Sequence, residues 1–314
     1  MSRGLGFDAL DGWARDDHRA ALLTWQQSCK RVGGRDLCRI AEGDPRAFFE
    51  TYFEPQVIGN PADALFTGYY EPVIRASKTR SDTFPVPIYA PPRDLERGRQ
   101  HLSRARIEAG GLEGRGLELF WLADRVDRYF LQIQGSGRLK LPNGQLVRVG
   151  YAGKNGHPYI SIGKIFNRRR AAQPGTFGAA PLKAWLRQNP RDGAALMQEN
   201  PSFIFFTVRD DLAPDQGPVG ALGVPLTAGR SMAVDPELTA LGLPVWVETE
   251  ASTGPIRRLM IAQDTGSAIK GPQRGDLFFG TGDRAGEIAG SMAAGGRMVS
   301  LIPKPELRRL IGRE

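Results

Sequence analysis

Glycine and proline occur along the whole length of this chain, and short apolar runs lie between them. The 314 residues include 39 glycines and 23 prolines, with no low-complexity block that gathers them. Both residues interrupt long helices and favour turns, so the pattern predicts many short strands joined by tight turns rather than a helical bundle. A chain of this length can bury a substantial core in one large domain or two ordinary ones.

Residues 65–72 form a short aromatic run that ends at a proline, which predicts a strand. Residues 73–200 differ in composition, with proline-rich loops and two Asn-Gly pairs, and we interpret them as a separate β-rich unit. Asn-Gly between extended runs is the strongest local signal for a hairpin. The predicted elements are a helix over residues 93–109, strands over 117–123 and 129–134, turns at 143–144 and 155–156, and a helix over 181–187.

The C-terminal part shows short strand patterns separated by glycine turns, over residues 203–208, 245–250, 258–263 and 297–302. Alternation is clear where Val245 and Val247 share one face and Trp246 and Glu248 share the other. Many short strands with glycine corners favour a closed barrel, since closure removes exposed sheet edges.

The first fifty-odd residues carry helical signals. Apolar residues recur at three- and four-residue spacing in a first helix, and Asp44 followed by Pro45 marks the start of a second. The second helix bears more aromatic surface than an exposed helix needs, so we expect both helices to pack against another layer. The apolar positions are Leu22, Trp25, Cys29 and Val32 in the first helix and Phe48, Phe49, Tyr52 and Phe53 in the second.

The ionisable residues argue against several kinds of site. The net charge is +8, but the basic residues are dispersed, and no zinc finger or RNA-binding aromatic signature accompanies them. We therefore expect no nucleic-acid partner, which leaves an anionic polymer such as a bacterial wall as the other interpretation. His18, His101 and His157 lack the spacing of a metal site, and we expect neither a metal nor a cofactor.

Cys29 and Cys38 lie nine positions apart. A disulfide between them fits an exported protein, and two buried free thiols are the alternative. No apolar run approaches the ~20 residues that cross a bilayer, and the first residues lack the apolar core of a signal peptide. We expect either a cytoplasmic protein or one that begins after a removed signal.

Asp264 and Asp276 stand at the edges of a glycine-rich loop, and Asp235 lies upstream of them. An aspartate held by backbone groups can have a pKa far from that of the free residue, which a general acid requires. The ordinary alternatives are a solvated turn residue for Asp276 and a turn cap for Asp264. No nucleophile elbow and no Walker loop compete with these carboxylates in the sequence.

Aromatic rings and amides beside these carboxylates suit saccharide binding, because flat rings stack on sugar faces while amides and hydroxyls meet sugar hydroxyls. Taken singly, a Tyr-Tyr pair is more often strand packing, and Gly-Ser-Gly is more often a turn. The candidates are Thr67, Gly68, Tyr69 and Tyr70 in one segment, Gln132, Gln134, Gly135 and Ser136 in another, and Asn155.

Several long segments, in the same order, resemble the membrane-bound lytic murein transglycosylase A family. They are Phe7-x-x-Leu-x-Gly-Trp13, Phe66-Thr-Gly-Tyr-Tyr-Glu-Pro72, Phe130-Leu-Gln-Ile-Gln-Gly-Ser-Gly137 and Gly150-Tyr-Ala-Gly-Lys-Asn-Gly-His-Pro-Tyr159. The C-terminal part is similar to the three-aspartate domain, with its aspartates at Asp235, Asp264 and Asp276.

The resemblance implies a mainly β fold. A double-psi β-barrel domain would comprise residues 1–72 and 201–314 with a few N-terminal helices. A second β-rich domain, residues 73–200, would be inserted into it, with a substrate groove between the two.

The resemblance also implies cleavage of the β-1,4 bond between N-acetylmuramic acid and N-acetylglucosamine, a carbon–oxygen lyase reaction that gives 1,6-anhydromuramic ends. The family's catalytic aspartate falls on Asp276, with Asp264, Asp235 and Lys270 in support. Because the C6 hydroxyl of the sugar attacks, one acid suffices. Leu277, Phe278 and Phe279 would raise the pKa of Asp276 by desolvation, while Lys270 and Arg274 would oppose that shift if they point inward.

A glycan hydrolase and a non-catalytic wall-binding or wall-loosening module are the rival interpretations. The expected partners are peptidoglycan glycan strands and wall-remodelling proteins. Family members are exported, which implies a periplasmic or outer-membrane location in a Gram-negative bacterium. Membrane contact would occur only through a lipid anchor that this chain does not contain. An exported setting favours the Cys29–Cys38 disulfide.

Overall fold

The structure is a computed structural model that describes residues 5–32, 38, 43–170 and 178–310. The chain divides into two compact units. The first comprises Met1–Tyr70 and Ala213–Glu314, and the second comprises Glu71–Leu212. The predicted insertion, residues 73–200, lies inside the second unit.

Strands and helices are numbered in chain order. The strands are β1 (Phe53–Val57), β2 (Leu65–Glu71), β3 (Val73–Ser77), β4 (Val86–Tyr89), β5 (Glu118–Leu122), β6 (Ser136–Lys140), β7 (Leu146–Lys154), β8 (Ile204–Arg209), β9 (Ser231–Ala233), β10 (Pro244–Ala251), β11 (Gly254–Asp264), β12 (Arg274–Thr281), β13 (Ala293–Ala294) and β14 (Gly296–Pro303). The α-helices are α1 (His18–Val32), α2 (Pro45–Tyr52), α3 (Arg104–Arg106), α4 (Arg125–Gln134), α5 (Ile162–Arg169), α6 (Ala179–Gln188), α7 (Pro190–Gln198), α8 (Asp283–Ser291) and α9 (Pro305–Leu310), and a π-helical segment, Ile107–Gly111, continues α3.

The first unit is built on a mixed sheet with the strand order β1-β14-β10-β11-β9-β12-β2-β13. Its short strand β9 runs parallel to β11 and antiparallel to β12. The predicted alternation of β10 is present, and both of its faces are buried. Val245 and Val247 join an apolar cluster with Phe66 and Met298, whereas Trp246 joins a second cluster on the other face.

Helices α1 and α2 pack on that second face, as the aromatic content of the sequence predicts. Asp44 caps α2 by accepting a hydrogen bond from the Ala47 amide at 2.7 Å, and Pro45 occupies the first turn, where no amide partner is needed. Trp25 of α1 contacts Phe48 of α2, with ring centroids 4.9 Å apart. The two helices therefore close the core above Trp246. A disulfide joins Cys29 to Cys38, with their Cα atoms 5.4 Å apart.

The second unit contains a six-stranded mixed sheet with the order β4-β5-β3-β6-β7-β8, in which β3 is parallel to β6. The predicted hairpin turn at Asn143-Gly144 joins β6 to β7. Glu71 is fully buried at the start of this unit and forms ion pairs with Arg138 at 2.7 Å and Arg148 at 2.8 Å. These two pairs tie the end of β2 to strands β6 and β7.

Three local predictions in this unit are wrong. Residues 129–134 form the end of α4 rather than a strand, because Asp124 caps the helix through the Asp127 amide and Gly135, at φ 78°, ends it. The helix predicted over residues 93–109 begins only at Arg104, since the preceding residues form turns around Gly98, at φ 85°. Asn155-Gly156 follows the end of β7 and joins no hairpin.

The structure therefore shows two mixed sheets accompanied by helices, the coarser part of the predicted fold. In the part of the chain that the structure describes, no helix has both the length and the apolar character to cross a membrane.

Candidate active site

Strand β9 brings the three predicted aspartates to one end of the first sheet. Asp264 on β11 and Asp276 on β12 are both in register with Ala233, the last residue of β9. Asp235 follows two residues later in the chain. Because neighbouring strands lie ~4.8 Å apart, the backbones of Asp264 and Asp276 are separated by roughly 10 Å across β9.

Asp276 is half-buried between the buried residues Gly275 and Leu277. Its Oδ1 accepts a hydrogen bond from the Thr67 hydroxyl at 2.5 Å. Burial raises the pKa of Asp276 to about 6, against the Thr67 hydrogen bond and the Arg274 charge, which lower it, while the Asp264 charge adds to the increase. Desolvation is therefore the dominant influence, and a large fraction of this carboxyl group is protonated at mildly acidic pH.

Arg274 is half-buried and points inward, with its guanidinium beside Thr67. Its guanidinium donates to Thr67 Oγ1 at 2.8 Å and to the carbonyls of Leu65 at 3.2 Å and Gly275 at 2.6 Å. Arg274 therefore opposes the upward pKa shift of Asp276, as the sequence anticipates for an inward orientation. Burial of the guanidinium in turn lowers the pKa of Arg274.

Both carboxylate oxygens of Asp264 accept hydrogen bonds from the protein. Oδ1 accepts from the amides of Ala221 and Thr265, each at 2.9 Å, and Oδ2 accepts from the Tyr69 hydroxyl at 3.0 Å. Burial raises the pKa of Asp264, and these three hydrogen bonds oppose that increase. With both oxygens engaged, Asp264 acts on its surroundings through its charge.

Asp235, just after β9, binds the loop between β11 and β12 at Lys270 and Gly271. The Asp235 carboxylate accepts from the Gly271 amide at 3.0 Å and from Lys270 Nζ at 3.1 Å. The Gly271 hydrogen bond, followed by Lys270, lowers the pKa of Asp235. Lys270 is 55% exposed and faces Asp235. Both residues therefore shape the loop that leads from β11 to β12.

Strand β2 carries the hydroxyl groups that contact the aspartates. Thr67 and Tyr69 lie two residues apart, on the same face of the strand, and bind Asp276 and Asp264 respectively. Gly68 between them faces the other way, where a Cβ atom would lie only 2.6 Å from the Phe279 ring and 2.7 Å from the Ala289 Cα atom. Tyr70 is half-buried and lies beside Gly286 of α8.

The second unit holds the remaining predicted sugar contacts. Gln132 is buried in α4, and its side-chain amide donates to the Ile204 carbonyl at 3.1 Å. Gln134 is half-buried at the end of α4, Gly135 terminates the helix, and Ser136 begins β6 opposite Gly150.

Asn155 occupies a structural position in the same unit. It is fully buried, its amide nitrogen donates to the Leu102 and Pro201 carbonyls, and its oxygen accepts from the Phe203 amide. All of its polar atoms contact the backbone, so we leave it out of the proposed sugar site.

Two contacts of the site cannot be predicted from the sequence. The Ala221 amide that binds Asp264 lies 43 positions away, and no side chain marks it. The Arg274 contact with Thr67 joins residues 207 positions apart. Its only sequence signal is the position of Arg274 two residues before Asp276. Within the described residues, no group of three or more His, Cys, Asp or Glu side chains is placed to hold a metal ion.

Two family models match this chain. Residues 65–207 match the family model described as the MltA specific insert domain, and residues 230–302 match the 3D domain. Membrane-bound lytic murein transglycosylase A of Vibrio cholerae is 31% identical over 274 residues, which cover 83% of this chain and 72% of that protein. The chain belongs to the membrane-bound lytic murein transglycosylase A family. The predicted family and its lytic murein transglycosylase activity are thereby confirmed.

Solved structures agree with that assignment. The membrane-bound lytic murein transglycosylase from Agrobacterium tumefaciens aligns with a TM-score of 0.86 and 32% identity, covering 98% of this chain and 99% of that one. The family member from Escherichia coli with bound chitohexaose aligns with a TM-score of 0.73 and 29% identity, covering 92% and 91%.

Proposed function

We propose that this chain cleaves peptidoglycan glycan strands with Asp276 as a single general acid and base, and that the products carry 1,6-anhydromuramic ends. The observation that carries the proposal is the half-buried Asp276 carboxyl group, whose pKa burial raises to about 6. A carboxyl group in this state can give up a proton to a leaving oxygen and afterwards take one back.

In this mechanism the Asp276 proton passes to the glycosidic oxygen as the bond from that oxygen to C1 of the muramic acid breaks. The C6 hydroxyl of the same sugar then forms a new bond to C1, and its proton passes to Asp276. The enzyme regains its acid form and no water is consumed. The nucleophile belongs to the substrate, so no second carboxylate is needed to activate water.

The surroundings of Asp276 support this single-acid mechanism. Asp264 has both carboxylate oxygens engaged by protein donors, which leaves it to influence the acid through its charge. Asp235 and Lys270 bind each other and the Gly271 amide. We therefore assign these three residues to holding the loop and setting the electrostatic field around Asp276.

We infer sugar contacts separately for each unit. In the first, half-buried Tyr70 offers an aromatic face next to the strand that holds Thr67 and Tyr69. In the second, Gln134, Gly135 and Ser136 offer polar groups at the point where α4 gives way to β6. A relative from Escherichia coli has been solved with bound chitohexaose, a chain of amino sugars, which supports glycan binding here.

We also propose that the eight-stranded sheet closes as a double-psi β-barrel. The apolar cluster of Val245 and Val247 also contains Met298 of β14 and Phe66 of β2, which are the second and seventh strands in the order of eight. Next to β13, Thr249 of β10 donates its hydroxyl to the Gly295 carbonyl at 2.7 Å. Strands that are distant in the sheet order therefore enclose the same side chains.

For location, we propose the bacterial envelope, at the periplasmic side of the outer membrane. The curated relatives are named membrane-bound, and the Cys29–Cys38 disulfide belongs to an oxidising compartment.

The deciding experiment is mass analysis of the products released from purified sacculi by wild type and Asp276→Asn. The expected result is anhydro-muropeptides from the wild type and none from the variant, with both proteins equally folded by circular dichroism. Products one water heavier would establish a hydrolase instead. Binding of wild type to sacculi without release of muropeptides would establish a wall-binding module, and full activity of the variant would remove Asp276 from the catalytic role.

A further inference from the structure

A hydrogen-bond chain of fixed direction leads from Arg274 to Asp276. The guanidinium group has donors and no acceptor, so in its 2.8 Å contact with Thr67 the hydroxyl oxygen must accept. A threonine hydroxyl has one proton, and that proton is then directed at Asp276 Oδ1, 2.5 Å away. Arg274 thus determines which partner receives the Thr67 proton.

This direction distinguishes the two oxygens of Asp276. Oδ1 is occupied as an acceptor in both protonation states, so the proton of the neutral acid sits on Oδ2. Within the described part of the chain, no hydrogen bond to Oδ2 is present. The oxygen that carries the transferable proton is therefore the one without a protein partner there.

Arg274 is itself held in place by backbone groups. Its Nη1 donates to the Leu65 carbonyl at the start of β2 and to the Gly275 carbonyl on β12. These are the two strands that carry Thr67 and Asp276. The guanidinium remains charged because no accessible pH deprotonates it, so the arrangement is permanent under working conditions.

Building on the function proposed above, we propose that Arg274 is a positioning residue that acts through Thr67, fixing Oδ1 of Asp276 as an acceptor and leaving Oδ2 as the oxygen that exchanges protons with the glycan. The proposal separates Arg274 from Lys270, the other cation between Asp264 and Asp276 in the sequence, which faces Asp235. It also gives Thr67 a role in orienting the acid, in place of the sugar contact that the sequence predicts.

Three ionisable groups face Asp276 from the strands packed around it. Arg274 on β12 lowers the pKa of Asp276, Asp264 on β11 raises it, and Tyr69 on β2 binds Asp264. Strand β9 contributes Met232 and Ala233, which do not titrate. Loss of Arg274 or of the Thr67 hydroxyl therefore has one expected direction, a higher pKa for Asp276, because both stabilise the carboxylate.

The test combines two readouts on the whole chain. A ¹³C NMR titration of the Asp276 carboxyl carbon, assigned with Asp276→Asn, reports its pKa without requiring any reaction. The pH dependence of kcat/KM on purified sacculi reports the same group during turnover. The variants are Arg274→Met, Arg274→Lys, Thr67→Val, Thr67→Ser and the double variant Arg274→Met with Thr67→Val. Arg19→Met, at an exposed arginine on α1, is the charge-matched control.

Arg274→Met and Thr67→Val should each raise the pKa of Asp276 by about one unit. Arg274→Lys and Thr67→Ser, which keep the charge and the hydroxyl, should restore most of the wild-type value, and Arg19→Met should not move it. Because the two residues act in series, the double variant should shift the pKa by less than the sum of the single shifts.

The proposal is overturned if Arg274→Met leaves the pKa unchanged, or if the lysine variant behaves like the methionine variant. It is equally overturned if the two single shifts add fully, since Arg274 would then act by its charge alone. The conservative variants keep the test valid if Thr67→Val does not fold. These outcomes are independent of the proposed function, which fails if Asp276→Asn still cleaves sacculi or if the wild type releases no anhydro-muropeptides.

Discussion

Asp264 and Asp276 are in register with the same residue, Ala233, from opposite sides of strand β9. Strand β2 supplies each of them with a hydroxyl donor, from Tyr69 and Thr67 respectively. The two carboxylates nevertheless differ, since Asp264 is satisfied through both oxygens and Asp276 through Oδ1. Strand β9 thus lies between Asp264, which contributes its charge, and Asp276, which can exchange a proton.

The activity of the wild type should decrease as the pH rises through about 6. The reaction begins with protonated Asp276, whose pKa burial raises to about 6, so kcat/KM should fall tenfold for each pH unit well above that value. Rates of muropeptide release from sacculi between pH 4 and pH 8 provide the measurement. A profile that stays flat up to pH 8 would exclude Asp276 as the initial acid.

Asp276→Asn should stabilise the fold at neutral pH. The folded-state pKa of Asp276 lies above the ~3.9 of an unfolded chain, so the folded protein binds more protons and its stability falls as the pH rises from about 4 through about 6. Removing the ionisable group should therefore raise the free energy of unfolding by about 1–2 kcal/mol at pH 8. This range is smaller than the full pKa shift would give, because solvent screens a partly exposed group.

Urea denaturation of both proteins at pH 8 and near pH 3 measures this effect. The difference should vanish near pH 3, where the carboxyl group is protonated in both states. Asp215→Asn, at an exposed aspartate, should show no comparable gain. A variant that is less stable than wild type at pH 8 would contradict the assigned desolvation.

Asp264→Asn should move the alkaline decline of kcat/KM to lower pH. The Asp264 charge helps to raise the pKa of Asp276, so a neutral side chain in its place makes Asp276 easier to ionise. Tyr69→Phe retains the Asp264 charge while removing its hydroxyl donor, and it serves as the matched comparison. The pH–rate profiles of the two variants should diverge, and an unmoved profile in Asp264→Asn would rule out this coupling.

Glu71→Gln should destabilise the second unit. Its carboxylate is fully buried between Arg138 and Arg148, and removing one partner from a buried ion network costs about 3–5 kcal/mol. Glu96→Gln breaks the exposed pair with Arg99, and such pairs are worth less than about 1 kcal/mol. Urea midpoints measured side by side should separate the two variants, and equal midpoints would show that the buried network contributes little.

The sequence predicts the structure best where a feature depends only on residues that are adjacent in the chain. The Asp44–Pro45 start of α2 and the alternation of Val245, Trp246 and Val247 follow from local geometry, and the structure reproduces both. The strand predicted for residues 129–134 fails because alternating aliphatic and amide residues over 131–134 resemble a strand, whereas the cap at Asp124 and the stop at Gly135 select a helix.

Contacts that join distant residues lie beyond such reasoning. Asp276 can be singled out in the sequence, but the hydroxyl that binds it is 209 positions away. Whether Arg274 points inward depends on the Leu65 carbonyl, which offers no side-chain signal. Asn155 shows the reverse case: a polar residue in a glycine-rich segment resembles a ligand contact, and in the structure its amide donates to two backbone carbonyls.

Gly68 lies between the two hydroxyl residues of β2, pressed against the Phe279 ring and the backbone of α8. Any larger residue there would force the strand away from the helix and displace Thr67 and Tyr69 in a single movement. Asp276 and Asp264 would then lose their hydroxyl donors together, even though their own positions were untouched. A single glycine therefore maintains the hydroxyl contacts of both carboxylates, and a substitution at position 68 would disturb the two acids at once.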